Sequence, residues 1–499
     1  MGKYIHTLII IALFQGLLLR AQNYEINVKI NGLSDTSIIL GHYVNKSMYP
    51  DDTTRLNHKG IGVFQGNEKL SGGMYLIFLP SQKYFAFLLD EDQHFSVETD
   101  TSDLFANLTF KGSELNADFV EYQKYIGAMG KQASALHEKL KNAKGDEEKK
   151  KWQEQVNRIN TDVQEYMKKM VAENKDNFLG VFIKATMKVE VPEPPKDEKG
   201  NIIDSAFQYK YYRTHYFDNF DVSDPRLLRT PLYQEKIIRY IDKVVPQIPD
   251  SIVAEVDWLI KKSRSSDELF QYMLVTLFNH YAKSKIMGMD KVYAHIAEKY
   301  YIPEATWSDP KFIEDLKERV AKVKPTLIGN VSENVEMVHV PSDHFVKAQN
   351  DTALKKYPYV GSFFNIHDIP ADFTVLLFWE SDCGHCKTVV PNLYQEYSKL
   401  KEMGVEVVAV HMLGGEEGKE QWVEFVNKHE LYDWINAWNP YDYKYKILYD
   451  IYSTPVVYLL DENKKIIAKR IGVDQLNEII EMRLKQKNKE IVNAEKQKD

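Results

Sequence analysis

The chain holds two cysteines, and both fall in one four-residue run, Cys383-Gly384-His385-Cys386. The run joins two segments of different grammar. Phe373 to Trp379 is an almost unbroken apolar stretch, as a strand buried on both faces requires. Beyond the run, Val390, Leu393, Tyr397 and Leu400 recur at intervals of three and four, which predicts a helix. A helix N-terminus presents unpaired N–H groups and a partial positive charge. A thiolate placed there is stabilised, so its pKa falls and it becomes nucleophilic. The second thiol, one turn on, is within reach of a mixed disulfide formed on the first. The spacing therefore predicts Cys383 as the attacking thiol and Cys386 as the resolving one. A structural zinc site would need a second thiol pair, which the chain lacks. A structural disulfide across four residues would close too short a loop to stabilise the fold by much.

The elements that must hold this run read as α/β. Gly404 is a fitting helix stop, and Val405 to Val410 reads as the next strand, so 373–410 is one β-α-β unit. Helices near 416–428 and 443–452 follow. Val456 to Leu460 and Ile466 to Ala468 flank the turn Asp461-Glu462-Asn463 as a hairpin. A helix at 474–486 and a charged tail at 488–499 end the chain. Upstream, 23–112 reads as short strands with turn signals between them, a small β-sandwich. Residues 113–325 change period. Phe119, Tyr122, Ile126, Met129, Ala133, Leu136 and Leu140 form one 3,4-spaced seam, and Trp152 to Met170 carries another, with Gly145 between. Two such seams predict a helical hairpin. The aromatic-rich stretch Tyr209 to Phe220 reads as packing. Residues 326–344 read as a connector and 345–487 as the domain that carries the cysteines. The expected architecture is multidomain: a β-sandwich-like N-terminal domain, an α-helical middle domain and a C-terminal α/β domain.

Composition closes off several function classes. Of 499 residues, 44% are hydrophobic and 27% charged, which excludes wholesale disorder and a polytopic membrane protein. With 64 Lys and Arg against 72 Asp and Glu, the net charge of −8 gives no long-range attraction to nucleic acid. At the start, Lys3 precedes the apolar run Leu8 to Leu19, and small Ala21 follows Arg20. The pattern reads as a cleaved signal peptide over 1–22, too short to span a bilayer. No cysteine lies nearby to carry a lipid anchor. Export to the periplasm or beyond, with no stable membrane insertion, is the expectation, and such compartments permit disulfide chemistry.

On these residues the C-terminal part, about 345–487, resembles the thioredoxin superfamily in its exported TlpA/ResA-like branch. The resemblance rests on Phe378-Trp379, the Cys383/Cys386 pair, Lys387, Pro391 and Ser453-Thr454-Pro455. The whole layout is similar to multidomain thioredoxin-like proteins of Bacteroidetes. The resemblance implies a cofactor-free thiol–disulfide oxidoreductase with a Cys383–Cys386 disulfide in its oxidised state. It also implies protein or peptide thiols and disulfides as substrates and a membrane-borne dithiol as electron donor. It implies a cis bond before Pro455, with Thr454, Pro455 and Trp379 meeting an extended substrate. Gly384 and His385 match the dipeptide of protein disulfide isomerase, so His385 is expected to stabilise the Cys383 thiolate, and Asp382 to oppose it. The buried carboxylate that relatives place six residues before the first Cys is Leu377 here, and the Glu three residues after the second is Val389. Glu380 is the remaining candidate proton acceptor for Cys386. The rival reading is a binding or assembly protein whose Cys pair is vestigial or structural; a copper-carrying pair is a third.

Overall fold

The computed structural model describes residues 23–356 and 361–496; the expected signal peptide lies outside them. Two compact units emerge. One comprises the chain up to Gln247 with Asp257–Phe270; the other comprises Ile248–Val256 with everything from Gln271.

In the first unit, β1 (Tyr24–Asn31) alternates buried and half-buried positions along its length. With β4 (Ile61–Gly66), β7 (His94–Asp100) and β8 (Thr109–Lys111) it makes a sheet of order β4-β1-β7-β8. The strands β2 (Ser37–Val44), β3 (Ser47–Arg55), β5 (Gly73–Phe78) and β6 (Tyr84–Leu89) make a second, of order β3-β2-β5-β6. One apolar cluster draws on both sheets, including Ile26, Val28, Leu40, Ile77, Phe87 and Phe95, which is the core of a sandwich. The helical hairpin follows as α1 (Glu114–Asn142) and α2 (Asp146–Glu173), stacked through Tyr125 and Tyr166 at 3.9 Å. Of the first seam only Phe119 and Tyr122 are buried. The rest are half-buried, because a two-helix hairpin covers each seam from one side only. Asn116 ties α1 to β6, its amide exchanging both hydrogen bonds with the Leu88 backbone at 2.7 and 2.9 Å.

The second unit is built on a seven-stranded sheet. Its strands are β9 (Glu336–His339), β10 (Ser362–Asn365), β11 (Phe373–Trp379), β12 (Val405–His411), β13 (Ile435–Trp438), β14 (Val456–Asp461) and β15 (Ile466–Lys469), in the order β10-β9-β13-β12-β11-β14-β15. All seven residues of β11 are buried, as its apolar run demands. Val375, Leu377 and Trp379 join the cluster on one face, while Leu376 and Phe378 join that on the other. The first face is covered by α3 (Cys386–Glu402), α4 (Gly415–His429) and α5 (Val473–Lys496), through Val390, Leu393, Trp422, Val426, Leu476 and Ile480. Gly404 ends α3 at φ +76°, where a Cβ would also meet the Asp372 carboxylate at 2.6 Å. The helix α5 continues to Lys496, through much of the expected charged tail.

The boundaries drawn at 325 and 345 are not where the packing changes. Residues 329–332 lie along the sheet edge: Gly329 N–H donates to Ile466 O at 2.8 Å and Ser332 N–H to Lys464 O at 2.9 Å. The strand β9 lies between β10 and β13, inside the expected connector. Residues from 271 onward also belong to this unit, Asp290 forming an ion pair with Lys469. Sequence periodicity separates helix from strand, whereas these contacts are set by side chains distant in the chain. A fragment 345–487 lacks β9 and the buried Met337, Val338 and Val340. Each such side chain stabilises by roughly 1.5–3 kcal/mol. The fragment should therefore melt at least ~10 °C below one spanning 326–496. Circular dichroism melts of the two decide it, equal midpoints meaning that β9 is not integral.

Candidate redox site

The run after β11 turns sharply, with Cys383 N–H donating to Glu380 O at 3.3 Å, and α3 starts at Cys386. Both cysteines are free thiols, so the pair is in its dithiol state. Their surroundings differ. Cys383 is partly exposed, while Cys386 is fully buried in the same cluster as Leu377 and Trp379. The Cys386 N–H, an orphan of the first helical turn, donates to Cys383 Sγ at 3.3 Å. Burial acts to raise the Cys383 pKa. Hydrogen bonds from the Cys386 thiol and the backbone N–H groups of Cys386 and His385, with the Thr454 side chain alongside, outweigh it, and the thiol is held below its ordinary value. Burial, aided by the neighbouring Cys383, pushes Cys386 up to about 12. One sulfur is prepared to be a thiolate and the other to remain a thiol.

The Thr454–Pro455 bond is cis, and its loop meets the cysteines. Cys383 Sγ donates to Thr454 O at 3.3 Å. The Thr454 hydroxyl donates to Glu380 Oε2 at 3.1 Å. Thr454 and Pro455 are half-exposed. Gly384, His385 and Asp382 are exposed at the helix start. His385 reaches the Cys383 sulfur through its backbone N–H.

One expected site residue is corrected. Trp379 is fully buried, its ring 5.0 Å from Phe425 and 5.1 Å from His411, so it cannot touch a substrate. As the last residue of β11 it shares the face of Val375 and Leu377, which α3 and α4 cover, and so it forms the wall behind Cys386. Behind it lies a pair that the sequence did not single out. His411, at the end of β12, stacks on Trp422 at 4.9 Å, and its Nε2 lies 3.1 Å from the buried Ser381 hydroxyl. This bond fixes the residue two before Cys383. The only sequence signal was a His ending an apolar strand, which carries no partner information.

Residues 371–466 match the family described as thioredoxin-like. Residues 24–119 and 140–324 match two domains of unknown function, DUF4369 and DUF5106. The thiol-disulfide oxidoreductase ResA of Oceanobacillus iheyensis is 29% identical over 120 residues, covering 23% of this chain and 59% of that protein. That of Bacillus cereus is 28% identical over 123 residues, covering 24% and 66%. The chain thus spans about three fifths to two thirds of these relatives' length. A crystal structure of a domain of a possible thiol-disulfide isomerase from Cytophaga hutchinsonii is 32% identical, covering 33% of this chain and 98% of that one, with a TM-score of 0.27. A thioredoxin-like protein from Bacteroides caccae is 18% identical, covering 60% and 99%, with a TM-score of 0.40. Residues 371–466 thus carry a thioredoxin-like domain, and in this part the chain is similar to thiol-disulfide oxidoreductases of the ResA kind.

Two measurements follow from the electrostatics. In the reduced protein, limiting iodoacetamide should label Cys383 with a midpoint below the ordinary thiol value of about 8.5, leaving Cys386 unlabelled well above it. Mass spectrometry of the two sites across pH reads this, and equal labelling would contradict the assigned roles. Burial holds His411 down at about 3. The folded state then binds fewer protons than the unfolded one between that value and about 6.5, so stability is full above pH 6.5 and falls as pH drops. His411→Phe should flatten that fall by up to ~1.4 kcal/mol per pH unit in urea titrations at pH 6.5 and 5. An unchanged slope would mean that His411 is charged when buried.

Proposed function

We propose that the chain is an exported thiol–disulfide oxidoreductase acting on protein disulfides, in the reductase or isomerase direction, without a cofactor. The observation that carries this is the pairing of a half-exposed Cys383, its pKa lowered, with a buried Cys386 beside the Thr454 carbonyl. The Cys383 thiolate attacks one sulfur of a substrate disulfide; a Cys383–substrate disulfide forms and the other substrate sulfur leaves as a thiolate. Losing its proton removes the Cys383 donor from Thr454 O, which frees that carbonyl to pair with an extended substrate backbone. Cys386 then gives up its proton and attacks Cys383 Sγ. The substrate leaves with both sulfurs reduced, and the two electrons lost appear as the Cys383–Cys386 disulfide. A dithiol donor, membrane-borne in our reading, restores the pair.

Leaving Cys386 deprotonated is the demanding step, since its pKa lies near 12 and Leu377 supplies no base beside it. The Thr454 side chain lies beside the Cys386 sulfur, and its hydroxyl donates to Glu380 Oε2. A proton can thus pass from Cys386 by way of the Thr454 hydroxyl to the Glu380 carboxylate. The exported location rests on the leader-like start of the sequence. No described helix is long and apolar enough to cross a membrane.

The test is covalent trapping. Cys386→Ala should accumulate mixed disulfides with protein substrates, visible as bands lost on reduction, and Cys383→Ala should form none. The intact protein should reduce insulin with turnover, and Glu380→Gln should slow it by about tenfold or more near pH 7. A chain that neither traps nor turns over is the binding or assembly protein of the rival reading.

A further inference from the structure

The loop that ends in the cis bond runs Asp450-Ile451-Tyr452-Ser453-Thr454-Pro455. Its conformation is held from outside the thioredoxin-like match, which begins at 371. Arg319, on the helix Pro310–Val323, donates from Nη1 to Asp450 Oδ1 and from Nη2 to Asp450 Oδ2 at 3.1 Å. The same Nη1 donates to the Tyr452 hydroxyl at 2.8 Å, and the guanidinium lies 4.9 Å from the Tyr452 ring centre. Arg470 closes the other side, its Nη2 donating to Asp450 Oδ2 at 3.0 Å and to Asp450 O at 2.9 Å. Asp450 is 5% exposed and sits at φ +50°, a left-handed conformation that an Asp adopts when its surroundings fix it. Two guanidiniums on one buried carboxylate are such a fixture.

Tyr452, by contrast, is 64% exposed. A large aromatic held in water by a hydrogen bond to its hydroxyl and a guanidinium against its ring has lost side-chain freedom without gaining burial. It stands two residues before Thr454, whose carbonyl meets the Cys383 thiol. An extended chain paired at Thr454 advances about 3.3 Å per residue, so a side chain one to three residues from the reacting cysteine passes the ring.

We propose that Arg319 is a positioning residue for the substrate-docking loop, and that it presents Tyr452 as a contact for an apolar or aromatic side chain flanking the target cysteine of an extended polypeptide. This rests on the oxidoreductase reading only for the identity of the partner, a cysteine-containing peptide. One face of the ring is taken by the guanidinium, and its exposure leaves the other for stacking. The helical segment upstream would then tune which substrates the redox site accepts.

The test separates docking from chemistry. Fluorescence anisotropy measures the binding of two labelled peptides to the reduced full-length protein. Each has Ser in place of the target Cys, so no disulfide can form; one carries Phe two residues from the Ser and the other Gly. The Phe peptide should bind more tightly. Arg319→Met and Tyr452→Ala should each weaken it about fivefold and bring it level with the Gly peptide. Arg319→Lys should recover part of the difference. Cys383 alkylation rates should stay at the wild-type level in all three, which a general disturbance of the site would not allow. Tyr452 is exposed, so its variant tests the contact even if Arg319→Met fails to fold. Equal affinity of the wild type for both peptides, no binding of either, or an unchanged Phe preference in Tyr452→Ala overturns the proposal. Absence of insulin turnover overturns the oxidoreductase reading and leaves this binding comparison standing.

Discussion

The second unit turns on one constraint: two sulfurs a single helical turn apart must sit in opposite environments. Cys383 stays at the water boundary, where the first orphan N–H groups of α3 stabilise its anion. Cys386 lies fully buried, where its anion is costly. Only a helix that starts at the rim of a buried sheet can do this, because its first turn crosses from solvent into the core. The continuous burial of β11 follows from that need. So does the pairing of β14 with β11, antiparallel from Phe378 and Val456 to Phe373 and Asp461, which brings the Thr454–Pro455 loop to the same rim.

The wall behind Cys386 is made of residues with no direct role in the chemistry. Trp379, Phe425 and Trp422 exclude water, and the His411–Ser381 bond fixes the approach to Cys383. A neutral, buried imidazole suits this task, since it satisfies the Ser381 hydroxyl without bringing a charge near a sulfur whose charge state matters. Leu377 belongs to the same wall. Placing an aliphatic side chain there keeps Cys386 dry and leaves the proton to leave by another path.

The helical region is divided differently from its appearance in the sequence. Its first part shares a unit with the β-sandwich, through bonds such as Asn116 to Leu88. Its last part, from Gln271, shares a unit with the seven-stranded sheet, through Asp290 with Lys469 and Arg319 with Asp450. The edge of the sheet is completed by residues 329–332 and β9, outside the region that matches the thioredoxin-like family. The domain that carries the cysteines is therefore larger than the family match suggests, and its extra parts reach the loop beside Cys383.

The sequence by itself determined where the cysteine pair lies, the strand and helix on either side of it and the α/β hairpin grammar of the C-terminal part. Those signals are local: a motif, a run of apolar residues and a 3,4 spacing. It also pointed to the two sandwich sheets, because strands that alternate buried and exposed residues show their period directly. The role of Trp379 was not legible. A Trp beside a reactive motif looks the same in sequence whether its face of the strand is covered or open, and only the packing of α3 and α4 decided that it is covered. The Ser381–His411 bond joins residues thirty apart in the chain. The clamp of Arg319 on Asp450 joins residues 131 apart. Neither spacing follows any helical or strand period, because the partners meet only when separate elements pack. The difference between the two cysteines has the same origin. Their order made one the candidate nucleophile, but burial beneath a seven-stranded sheet is what separates their proton affinities.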